Sequence, residues 1–141
     1  MSATGREARR APSDAPRAVV LVVDDEAPIA DVVAEVVGLA GHEAVVAAHG
    51  RQALELARER RPALVITDLM MPVLDGPDLI GALRAAAAAD GHAAPPIVVM
   101  TAAGSGRADE AGADAVLRKP FELAELDALL RRFLGPPPAD Q

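Results

Sequence analysis

Five residues stand where chemistry is possible. Asp24 and Asp25 follow one apolar run, Asp68 a second and Thr101 a third, and Lys119 precedes Pro120. Three carboxylates brought close together repel one another unless a cation joins them. An all-oxygen set with open positions suits Mg²⁺, which takes one or two carboxylates and keeps room for phosphate oxygens. A carboxylate in such a set can act as a nucleophile and become an aspartyl-phosphate. Lys119 is the one lysine among 14 basic residues. Beside a metal-bound carboxylate, its ammonium would offset charge developing on a phosphoryl group.

These residues act together only if the fold gathers them. Strand and helix signals alternate five times between Ala18 and Leu134. The β-branched run Val19 to Val23 reads as a strand buried on both faces. Ile29, Val32, Val33, Val36, Val37 and Ala40 follow at helical spacing, with Gly41 as the stop. Glu43 to Ala48 reads as a weaker strand, Arg51 to Arg60 as a helix, Ala63 to Thr67 as a strand and Asp78 to Ala89 as a helix. Ile97 to Met100 is the fourth strand. A short helical stretch near Ala108 leads to the fifth, Ala113 to Leu117, and Glu122 to Leu134 is an amphipathic helix. Strict alternation predicts a doubly wound α/β fold, a parallel sheet with helices on both faces. In the flavodoxin-like order 2-1-3-4-5, ligands bind at the carboxyl ends of the strands. That order brings the ends of strands 1 and 3 side by side, so Asp24, Asp25 and Asp68 converge, with Thr101 and Lys119 on the far side.

Composition narrows the function. The chain has 141 residues, no cysteine and two phenylalanines as its only aromatics. Disulfides, thiolate metal sites and a cysteine nucleophile are excluded, and stacking on bases or planar cofactors is disfavoured. A net charge of −7 argues against a nucleic-acid-binding body. The longest strongly apolar run, Ala18 to Val23, is far short of a membrane span, so a cytoplasmic location is expected. Residues 1–17 read as a flexible tail and residues 135–141 as a Pro-rich tail, leaving 18–134 as the folded unit. His42, His49 and His92 lie beside glycines in predicted loops and read as exposed residues without a role.

The motifs Val-Val-Asp24-Asp25-Glu26, Asp68-Leu-Met-Met-Pro72-Val-Leu-Asp75-Gly76, Thr101-Ala102, Gly112-Ala113-Asp114 and Lys119-Pro120-Phe121 occur in this order, each at its strand end. With them the chain resembles the receiver domain of bacterial two-component response regulators, over about Val19 to Leu134. The resemblance implies that Asp68 accepts a phosphoryl group from a histidine kinase or phosphotransfer protein. It implies that Asp25, Asp68 and the main-chain carbonyl of Met70 hold Mg²⁺, with Asp24 acting through a metal-bound water. Lys119 would pair with the carboxylate or phosphoryl oxygens, Thr101 would hydrogen-bond the phosphoryl group, and Ala102 would let it pass. Lys119–Pro120 would be cis. The kinase would dock on helix 1 and the loop with Pro120 and Phe121. A stand-alone receiver is expected, with no DNA-binding domain and an unidentified downstream protein as its target.

Two features depart from that family. Val116 stands where a strand-5 aromatic is usual, and Thr101 to Lys119 spans 18 residues, about one helical turn less than the family has. The helix near Ala108 is therefore expected to be shortened. Met70 and Ala103 cannot hydrogen-bond an attacking water, which predicts a durable aspartyl-phosphate. Three rival readings exist: a degenerate receiver acting as a phosphorylation-independent adaptor, an FMN-binding flavodoxin-like protein, and an aspartate-nucleophile phosphohydrolase. The second lacks stacking aromatics. The third would separate its two aspartates by one residue, whereas Asp24 and Asp25 are adjacent. Singly, each site residue also has a plain reading, Asp24 and Asp25 as caps of helix 1 and Asp68 as a loop acid.

Overall fold

The computed structural model describes residues 18–69, 76–102 and 112–135. Its elements are β1 (Val19–Val23), α1 (Ala27–Leu39), β2 (Glu43–Ala47), α2 (Gly50–Arg60), β3 (Leu64–Asp68), α3 (Gly76–Ala89), β4 (Ile97–Ala102), β5 (Ala115–Lys119) and α4 (Leu123–Leu134). All strand pairs are parallel, in the order β2-β1-β3-β4-β5. This is the flavodoxin-like, doubly wound arrangement expected from the alternation. The helical stretch expected near Ala108, the loop positions Met70, Pro72 and Asp75, and both expected tails apart from Gly135 lie outside the described residues.

Successive side chains of a strand point to opposite faces, and the central strands bury both. Leu21, Val23, Val65, Ile97 and Val99 face one way and pack with Ala53, Leu79, Ile80 and Leu83 of α2 and α3. Val20, Val22, Leu64, Ile66, Val98 and Met100 face the other way, against Ala30, Val33 and Val37 of α1 and Leu126 and Leu130 of α4. Continuous β-branched runs therefore read as strands because neither face can be polar.

The helix ends show local chemistry. At α4, Glu122 and Glu125 form a reciprocal capping box. At α2, His49 Nδ1 accepts from the Gln52 amide at 3.2 Å, while Gln52 Oε1 accepts from the Ala48 amide at 2.8 Å. His42 Nδ1 accepts from the Ala18 amide at 3.4 Å, and partial burial lowers its pKa. Two of the three histidines thus have structural roles, contrary to the reading of all three as idle surface. An imidazole nitrogen can cap a helix as a carboxylate does, a use that metal-ligand spacing does not reveal.

β5 begins at Ala115, two residues later than the apolar pattern indicates. The cause is Asp114. Its amide donates to the Ile97 carbonyl at 2.8 Å, and its Oδ2 accepts from the Ile97 amide at 2.8 Å. A side chain thus takes the donor at the start of β4, and the strand ladder starts one residue on. Arg84 of α3 donates to the Gly112 carbonyl at 2.8 Å and lies 3.7 Å from Asp114. That ion pair is solvent-exposed and contributes little; the amide bond matters more. Asp114→Ala is expected to lower stability by about 1–3 kcal/mol, the cost of an unsatisfied buried amide. Asp114→Asn, which retains an acceptor, should cost less than half of that in urea denaturation.

Candidate functional site

The carboxyl ends of β1 and β3 adjoin, with Val23 opposite Thr67, so the next residues of each strand meet. The Asp24 amide donates to the Ala47 carbonyl at 3.1 Å, which ties Asp24 to the edge of the sheet and sends its side chain inward. Asp24 is 2% exposed and Asp68 8% exposed, whereas Asp25 is exposed to solvent. One carboxylate oxygen from each of the three lies within 4.8 Å of the others. A Mg²⁺ ion with oxygens at about 2.1 Å spans roughly 4.2 Å between opposite ligands, so this hard, all-oxygen set fits that ion with little movement.

Lys119 supplies the positive charge. Its Nζ lies 3.3 Å from Asp24 Oδ2, 3.4 Å from Asp68 Oδ1 and 4.0 Å from Glu26 Oε1. The peptide bond that follows it is cis, as expected for Lys119–Pro120. Loss of solvation pushes the Asp68 pKa up; the nearby Asp24 and Asp25 charges add to this, and Lys119 only partly offsets it. Burial alone would lower the Lys119 pKa, but the charges of Asp68 and Asp24 outweigh it and raise the value. Lys119 is therefore held as an ammonium, between acids that repel each other.

Asp24 and Asp25 do not cap α1. The N-cap is Glu26, without a side-chain cap bond, and Asp24 Oδ1 instead accepts from the Glu26 amide at 2.9 Å. That bond aims the other oxygen at Lys119. Thr101 is buried at the end of β4, but its hydroxyl donates to the Ala102 carbonyl at 3.4 Å and not to the acids. The structure thus gathers Asp24, Asp25, Asp68 and Lys119 and leaves Thr101 turned aside. Two neighbours had no assigned role in the sequence: Glu26, the third carboxylate near Lys119, and Thr67. The buried Thr67 hydroxyl donates to the Asp68 carbonyl at 3.1 Å. Glu26 was detectable from its place beside the acid pair; Thr67 is hidden inside an apolar run.

Comparison with known proteins agrees with this geometry. A family profile described as "Response regulator receiver domain" matches residues 20–131. The chain is 42% identical over 121 residues to the transcriptional regulatory protein PrrA of Mycobacterium tuberculosis, covering 82% of this chain and 49% of that protein. It is 39% identical over 126 residues to the DNA-binding response regulator MtrA of the same species, covering 86% and 52%. Among solved structures, the receiver domain of the sensor histidine kinase PA1611 from Pseudomonas aeruginosa is 29% identical with a TM-score of 0.74, covering 85% of this chain and 99% of that one. That structure has a magnesium ion coordinated in its active-site cleft.

The chain spans about half the length of the curated relatives it matches. This corrects one expectation. A stand-alone receiver without a DNA-binding domain does not follow, because relatives of this similarity are transcriptional and DNA-binding regulators. The acidic charge that disfavoured nucleic acid describes the receiver body, and a receiver body says nothing of what it is joined to. Among the described residues, no helix is long and apolar enough to cross a membrane.

The raised Asp68 pKa has a consequence for stability. Between the ordinary carboxylate value and the higher folded value, the folded state binds more protons than the unfolded chain, so stability falls as pH rises through that window. Asp68→Asn should remove this fall and raise the thermal midpoint at pH 7 in the absence of divalent ions. Mg²⁺ at ten times its dissociation constant should stabilise the wild type by about 1.4 kcal/mol and the Asp68→Asn variant by much less. Thermal melts with Mg²⁺ and with EDTA check both expectations.

Proposed function

The chain belongs to the response regulator receiver domain family, and on that footing we propose that it is the phosphoacceptor of a two-component system, with Asp68 as the residue that is phosphorylated. One observation carries the reading: a buried carboxylate with a raised pKa, Asp68, lies 3.4 Å from the chain's single lysine and beside two further acids. The donor in this reading is a phosphohistidine on a kinase or phosphotransfer protein. The receiver unit is taken as residues 18–134, acting in the cytoplasm.

In the proposed step, an Asp68 carboxylate oxygen attacks phosphorus and forms the P–O bond of an acyl phosphate. The P–N bond of the phosphohistidine breaks, its electron pair stays on the ring nitrogen, and a proton from solvent neutralises that nitrogen. Lys119 favours the ionised form of Asp68 and offsets charge on the phosphoryl oxygens. Asp24 and Asp25, with Asp68 and the main-chain carbonyl of Met70, are the residues that would hold Mg²⁺. When bound, that ion supplies positive charge which lowers repulsion between the acids and the incoming phosphoryl group. Thr101, turned toward Ala102, would rotate to donate to a phosphoryl oxygen. Met70 and Ala103 offer no side chain to position an attacking water, so self-hydrolysis is read as slow.

The donor would approach over α1 and the loop leading into α4. Val32 and Leu39 on α1 and Leu123 at the start of α4 are large apolar residues left exposed. A groove between these helices, lined by Val36, Leu39, Ala40, Leu123 and Ala124, gives a protein partner an apolar seat.

Incubation with Mg²⁺ and a small-molecule phosphodonor should yield one phosphoryl adduct by intact mass. The adduct should be absent without Mg²⁺ and in Asp68→Asn. Lys119→Ala should slow its formation by roughly 10²-fold or more, the usual effect of removing one charge-stabilising donor. An adduct that persists in Asp68→Asn would locate the acceptor elsewhere and overturn the reading.

A further inference from the structure

At the opposite end of the sheet from the acids, α2 and α3 flank a cleft of about 260 Å³. This is just below the roughly 300–1,000 Å³ of typical small-molecule sites, so an occupant would be small. Leu54, Ala57, Leu83, Ala86 and Ala87 give it an apolar lining, with Pro62 and Pro95 alongside. Three of these wall residues are alanines, whose short side chains leave space between the two helices.

The mouth is not neutral. Arg58, Arg61, Asp90 and His92 surround it. Arg58 and Asp90 pair with each other at 3.4 Å across the opening, both largely exposed. Arg61 is left over: among the described residues it makes no ion pair or side-chain hydrogen bond. In a chain of net charge −7, this mouth carries an excess positive charge. The carbonyl ends of α2 and α3 also lie at this end, and Arg58 and Arg60 in the last turn of α2 offset the first of these dipoles.

The backbone at Arg61 gives a second, independent indication. Arg61 is the C-cap of α2 and has φ 47°, the left-handed region, the one non-glycine residue with positive φ among the described residues. Glycine fills such a position without steric cost, while a side chain there costs roughly 1–2 kcal/mol. Arg61 thus holds a left-handed backbone beside an apolar cleft, and among the described residues its guanidinium has no partner.

We propose that this cleft is a binding site for a small free amphipathic carboxylate. Its hydrocarbon body lies between Ala57 of α2 and Leu83 and Ala86 of α3, and its carboxylate takes a charge-assisted pair of hydrogen bonds from the Arg61 guanidinium. The site is separate from Asp68 and does not depend on phosphorylation.

The test is an amide NMR titration of the whole chain with octanoate, octan-1-ol and octylamine. Saturable shifts are expected at Leu54, Ala57, Leu83 and Ala87, with octanoate about tenfold tighter than the alcohol and the amine weakest. Arg61→Gly, which suits the left-handed backbone and so keeps the fold, should bring octanoate down to the level of the alcohol. Ala57→Leu and Ala87→Leu each fill the cleft and should abolish both. Equal binding of octanoate and octanol, octanoate affinity unchanged in Arg61→Gly, shifts confined to other surfaces, or no saturation would each overturn the proposal.

Discussion

Everything at the functional end of this molecule depends on holding like charges together. Asp24 and Asp68 are almost wholly withdrawn from water and Asp25 stands beside them. Such a cluster is unstable unless opposite charge reaches it. Lys119 is that charge, delivered from the end of β5 to within 3.4 Å of both buried acids. The sheet makes the encounter possible. Parallel strands in the order β2-β1-β3-β4-β5 put every strand's carboxyl end on one side, so residues far apart in sequence arrive at one place without long loops.

The sheet also divides the interior. Alternate residues of each strand contribute to two separate apolar compartments, one under α1 and α4 and one under α2 and α3. The acids sit on the rim where both compartments end. Small features of the backbone then set their direction. The Glu26 amide holds one oxygen of Asp24, the Ala47 carbonyl holds its main chain, and Leu69 donates to the Met100 carbonyl at 2.9 Å just beyond Asp68. The Asp24 carboxylate is therefore oriented by a main-chain amide, and the Asp68 backbone is fixed beside it, before any ion or substrate contributes.

Much of this was legible in the residue pattern. Buried parallel strands are written as unbroken runs of Val, Ile and Leu, and the acids close two such runs, so a parallel, doubly wound sheet could be read from spacing; the convergence of Asp24, Asp25, Asp68 and Lys119 followed only once the flavodoxin-like strand order was adopted. Other features were not legible. The start of β5 depends on the Asp114 carboxylate occupying the Ile97 amide, a side-chain contact that no apolar pattern encodes. The Thr101 hydroxyl donates to the Ala102 carbonyl, a side-chain direction that the sequence does not specify. His49 as a helix cap and Arg61 in the left-handed region are local backbone choices. What a receiver is joined to lies outside its own physics, and the DNA-binding relatives, of which the chain spans about half, corrected that point.

Among the described residues β5 is an edge strand, paired with β4 alone. The cluster's counter-charge is thus carried by a strand that has ladder bonds on one side alone, while the acids ride on interior strands bonded on both sides. The ionic contact and the docking of the edge are one equilibrium seen from two ends. Whatever draws the acids' charge toward another partner weakens a tether on β5, and whatever loosens β5 leaves the acids less shielded. By this reciprocity the electrostatic state of the cleft is expressed as the local opening free energy of an edge strand, without requiring any rearrangement of the core.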